Sequence, residues 1–139
     1  MLELLAFRMD ERLSRVVANE NSPELKLKVL FKSQFDYFQA NPHLVVAVFC
    51  DGLMEESEKI NASILKLMEV KMKFLNSIIS EGQADGTFNS SISLEDLTHI
   101  VLGSFRLQMF KWRASNFSFT INDKGVALME SVFMLIKHQ

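Results

Sequence analysis

The sequence predicts an all-α domain, a six-helix antiparallel bundle in which residues 1–139 form a single unit. Three observations predict it. Apolar residues recur at three- and four-residue spacing through nearly every segment. Helix-start and helix-stop signals punctuate the chain at Ser22-Pro23, Asn41-Pro42, Asp85-Gly86 and Ser93. Only two prolines and five glycines occur in 139 residues, which leaves little room for long loops between helices.

The elements follow in order. Leu2, Leu5, Met9, Leu13 and Val16 make one helical stripe over residues 2–18, which opens without a cap. Ser22-Pro23 starts the second helix, because the serine oxygen accepts from an orphan N–H and proline gives up a donor that had no partner. Leu27, Leu30, Phe31, Phe35 and Phe38 form its buried face, with Gln34 among them. Residues 43–52 contain LVVAVFC, whose length and propensity fit a buried strand equally well. The Asn-Pro start and the lack of a partner strand favour a short helix.

A long helix is expected over residues 55–84, with Ile60, Ile64, Leu67, Phe74 and Ile78 on one stripe and Leu65, Met68, Met72, Leu75 and Ile79 on its neighbour. Asp85-Gly86 supplies a left-handed exit, and Phe88 can fold back onto the last turn. Ser93 and Asp96 resemble a capping box at the start of the fifth helix. Ile121-Asn122 begins the last, in which Leu128, Met129, Val132, Phe133, Leu135 and Ile136 occupy about half the circumference.

The fifth helix, residues 93–113, has two apolar faces. At about 100° per residue, Leu94, Leu97, Val101, Phe105, Met109 and Trp112 form one stripe, while Ile100, Gly103, Leu107 and Phe110 cover much of the other side. A helix facing one core needs only one such face. Its own domain would cover one side and a second copy of the chain the other.

Composition narrows the function classes. A net charge of −2 with no local basic patch argues against broad contact with a phosphate backbone. Cys50 is the only cysteine, so no internal disulfide is possible, and a reducing, cytoplasmic setting is the economical reading. The longest apolar run, residues 44–50, is far short of the roughly 20 residues that cross a bilayer, so no membrane partner is expected. His43, His99 and His138 lie on different segments, none with a second ligand at metal spacing. No phosphate-cradling glycine loop and no nucleophile–base set is present. Neither an enzyme nor a bound cofactor or metal is expected.

With six helices in this order, the chain resembles the C-terminal effector-binding and dimerisation domain of TetR-family transcriptional regulators. The likeness is carried by DERLSRVVA in the first helix, FDYFQANPHL, the GQADGTF exit, and the final pair VLGSFRLQMFKWRASNFSF and GVALMESVFMLI. The first helix, residues 1–18, resembles the one that links this domain to an N-terminal helix-turn-helix unit. Nothing in the sequence could supply that unit, so the chain as it stands is expected to dimerise and bind a ligand without contacting DNA directly.

The resemblance implies that the last two helices pair with their two-fold copies in a four-helix bundle. That assigns Ile100, Gly103, Leu107, Phe110, Leu128, Val132 and Leu135 to the partner side. For Gly103 a close contact inside the monomer is an equal alternative. The resemblance also places an effector pocket among the middle helices. Phe35, Phe38, Phe49, Met68, Phe105 and Met109 are candidates for its apolar wall, and Gln34, Ser104 and Gln108 for polar anchors. Plain core packing competes for each apolar residue, yet together they suit a small apolar or aromatic effector. Effector binding would act by linkage, disfavouring the arrangement that matches an operator. A helical protein-interaction module and a hydrophobic-ligand carrier are the alternatives from other classes.

Overall fold

The computed structural model describes residues 2–48 and 58–138. Six helices fill them: α1 (Leu2–Ala18), α2 (Pro23–Ala40), α3 (Pro42–Val48), α4 (Glu58–Asp85), α5 (Leu94–Ala114) and α6 (Ile121–Ile136). The segment read as a short helix, residues 43–52, is helical as far as Val48; its remainder, Phe49 included, lies outside the described residues. Outside the helices, Phe88 and Lys137 form an isolated antiparallel bridge between the α4–α5 connection and the end of α6.

Local chemistry sets most of the boundaries. The Ser22 hydroxyl accepts from the Leu25 N–H at 3.1 Å and opens α2, and Ser93 accepts from Asp96 N–H at 3.1 Å to open α5. Gly86 leaves α4 at φ +87°, a conformation that costs glycine little. The Asp85 carboxylate accepts from the Thr87 N–H at 2.9 Å just beyond it. Phe88 then folds back, its N–H donating to Gly82 O at 3.0 Å and its ring fully buried. Asn41 closes α2 instead of capping α3 through its side chain: its Nδ2 donates to Tyr37 O at 2.9 Å.

At the centre of the bundle, α2 packs against α1, α3, α4 and α6, while α5 packs between α4 and α6. The core is a run of phenylalanines from three helices. Phe31 and Phe35 of α2 each lie 5.3 Å from Phe105 of α5, and Phe31 lies 6.1 Å from Phe133 of α6. Such tilted ring pairs contribute roughly 0.5–1.5 kcal/mol each beyond the area they bury. Gly125 lets α6 approach α2 this closely, since a Cβ there would come within 2.5 Å of the Phe35 ring.

Candidate functional site

The first region of interest is interior. Gln34 of α2 is wholly buried and both ends of its amide are engaged: Oε1 accepts from Arg12 Nη2 at 2.7 Å, and Nε2 donates to Met9 Sδ at 3.3 Å. Arg12 of α1 also donates from Nε to Ser33 Oγ at 3.1 Å and stacks 4.1 Å above the Tyr37 ring. The amide thus ties α1 to α2 through a charged donor in a poorly solvated setting, where such a bond is strong.

Lys71 of α4 lies beside this link. It is 3% exposed, with its amine 4.4 Å from the centroid of Phe105 and 5.9 Å from that of Phe38. Burial pushes its pKa down to about 7, and the charges of Arg106 on α5 and Arg12 on α1 push in the same direction. The amine of Lys71 is thus enclosed beside aromatic rings and feels the charges of Arg12 and Arg106. Sequence reading overlooked Lys71 and Arg12 because a charge reads as a solvated face. The signal was available: Ile64, Leu67, Leu75 and Ile78 are buried, and position 71 falls on the same stripe.

Of the residues expected at an effector pocket, Gln34, Phe35, Phe38, Phe105 and Met109 come together in the buried core. Met68 and Gln108 are half-buried. Ser104 turns its hydroxyl back onto its own helix, donating to Ile100 O at 2.8 Å. A cleft of about 570 Å³ opens between α1 and α2, walled by Arg12, Val16, Ser33, Tyr37 and Asn41 among others. Arg12 is the residue that joins this cleft to the buried amide.

The second region is the outer side of α5 and α6. Leu97, Val101, Phe105, Met109 and Trp112 point into the core, whereas Ile100, Leu107 and Phe110 are 47%, 60% and 42% exposed. A Cβ on Gly103 would meet nothing within 4 Å, so the close-contact reading inside the monomer does not apply to it. On α6, Leu135 is 76% exposed and Leu128 half-buried. Val132 is already buried within the chain, on the side of Met129 and Phe133.

Among the described residues, no group of three His, Cys, Asp or Glu side chains is arranged to hold a metal ion, and no helix is long and apolar enough to cross a membrane.

The fold is that of a TetR-type C-terminal domain. The chain belongs to the TetR C-terminal family described as YsiA-like protein, C-terminal region, which matches residues 6–139. This is a family of regulatory domains and not of enzymes. No curated protein sequence matches the chain. Solved structures that share the fold include two FadR regulators. The fatty acid degradation regulator FadR from Bacillus halodurans superposes with a TM-score of 0.81 at 16% identity, over 96% of this chain and 69% of that one. The transcriptional regulator FadR from Bacillus subtilis, in complex with stearoyl-CoA, gives the same TM-score, identity and coverage.

Proposed function

We propose that this chain is the ligand-sensing and homodimerisation domain of a TetR-like transcriptional regulator, with an apolar effector bound among α1, α2, α4 and α5. The observation that carries the reading is α5 itself, one face closed over a phenylalanine core and the other left apolar toward solvent. Support for an acyl effector comes from the Bacillus subtilis FadR fold in complex with stearoyl-CoA and from the Phe- and Met-rich interior. The dimer would use Ile100, Gly103, Leu107 and Phe110 with Leu128 and Leu135.

The mechanism is linkage between an occupied interior and the position of α1. Arg12 binds α1 to the buried Gln34 of α2, and Lys73 of α4 reaches Asp10 of α1 at 2.8 Å. An effector that parts α2 from α4 must therefore move α1, and with it a DNA-binding unit joined ahead of α1. Coupling of this kind is worth about 1–3 kcal/mol. Native mass spectrometry of the purified chain with and without stearoyl-CoA tests the proposal. A dimer that takes up the ligand is expected, and a monomer that takes up no acyl compound would refute it.

A further inference from the structure

The cleft of about 570 Å³ between α1 and α2 is separate from the interior, since none of the core phenylalanines lines it. One wall is the Arg12–Val16 side of α1, and the facing wall is Val29, Ser33 and Tyr37, successive turns of α2. Arg12 is held there by neutral groups. Its Nε donates to Ser33 Oγ at 3.1 Å, its Nη2 donates to Gln34 Oε1 at 2.7 Å, and the guanidinium lies 4.1 Å over the Tyr37 ring. It shares an ion pair with no carboxylate among the described residues. Burial lowers its pKa, Tyr37 opposes that shift, and the like charge of Arg15 adds to it. A half-buried cation loses hydration that neutral acceptors restore only in part. A guanidinium also carries more N–H groups than these two bonds use. Its remaining nitrogen, Nη1, is not buried, and because Arg12 lines the cleft it is reached from there.

We propose that this cleft binds an aromatic monocarboxylate, its carboxylate on the outer edge of the Arg12 guanidinium and its ring among Val16, Val29 and Tyr37. The volume suits a small molecule. The planar guanidinium can meet both carboxylate oxygens with parallel N–H groups. Its bonds to Ser33 and Gln34 fix it beforehand, so binding orders little that is not ordered already. Glu20 and Asp36 also line the cleft and set the charge of the ligand. Asp36 is paired with Lys32 at 3.1 Å, whereas Glu20, at the α1–α2 turn, repels a dianion more than a monoanion. A single carboxylate therefore fits better than a phosphate ester. The site is distinct from the interior proposed for the acyl effector, and it goes beyond that reading without resting on it.

The test is isothermal titration of 2-naphthoate and its neutral isostere 2-naphthamide into the full chain, as wild type, Arg12→Gln and Val29→Trp. Naphthoate is expected to bind at least about tenfold more tightly than the amide, a difference of about 1.4 kcal/mol. Arg12→Gln should remove that preference. Val29→Trp, at a half-buried position on the cleft wall, should fill the space and abolish binding of both probes. Arg12 also holds Gln34, so its loss disturbs the fold as well; Val29→Trp removes no side-chain hydrogen bond and decides the matter even if Arg12→Gln does not fold. Equal affinity for the two probes, a preference that persists in Arg12→Gln, or naphthoate binding that survives Val29→Trp overturns the proposal. Stearoyl-CoA titrated into the same wild-type chain separates the two readings. A chain that takes up naphthoate but no acyl compound keeps the cleft site and loses the acyl effector, and the reverse result loses the cleft site alone.

Discussion

Lys71 titrates where few lysines do, and the fold must register it. Its pKa of about 7 lies below the ordinary 10.5 of an unfolded chain, because burial disfavours the charged amine and Arg106 and Arg12 add like charge. Between those two values the unfolded state holds a proton that the folded state has released, so stability rises with pH across that window. Below pH 7 both states are protonated and the residue contributes no slope. Urea unfolding from pH 7 to 9 should therefore show stability increasing by about 1 kcal/mol per pH unit relative to Lys71→Met. Parallel profiles for the two proteins would mean that the amine is better solvated than its position implies.

At the level of the helix, the start of α6 depends on a residue that is remote in sequence. Thr120 occupies the N-cap position but makes no side-chain cap bond. Gln39 of α2 supplies the acceptor instead, its Oε1 taking the Ile121 N–H at 2.9 Å. Gln39→Ala should lower stability by about 1 kcal/mol, with amide exchange quickening in the first turn of α6 and not in α5. Unchanged exchange there would show that water replaces the glutamine at no cost. The contrast marks what a sequence discloses. Caps within one turn of their helix, such as Ser22 and Ser93, were legible, as were the glycine exit at Gly86 and the return of Phe88. The apolar stripes also revealed both faces of α5. Gln39 was not legible, since its partner lies 82 residues away. The interior site was half legible for the same reason. Gln34 stood out among apolar neighbours, but its partners Arg12 and Met9 are 22 and 25 residues distant, and Lys71 reads as a surface charge until its register on α4 is known. Val132 belongs with these cases: the apolar half-circumference of α6 was clear, but which of its residues turn inward depends on where α2 and α5 pack.

The assembly of the whole molecule turns on the outer face of α5. Single exposed leucines are ordinary on a soluble surface, but Ile100, Leu107 and Phe110 follow one another at helical spacing around the open space at Gly103. Under two-fold symmetry each of these residues enters the proposed interface twice, so one substitution places two changes in a single contact. Leu107→Glu should convert a dimer into a single chain of 15.9 kDa in sedimentation velocity, because dimer formation would bury two unpaired carboxylates. The same substitution leaves the monomer's interior untouched, since Leu107 is 60% exposed while its neighbours Phe105 and Met109 fill the core. Helix content and the aromatic near-ultraviolet signal should therefore persist in the separated chain. A variant that still sediments as a dimer would move the contact off this face of α5. A variant that loses its aromatic signal on separating would mean that the phenylalanine core depends on the partner for its packing, and that the two faces of α5 act as one.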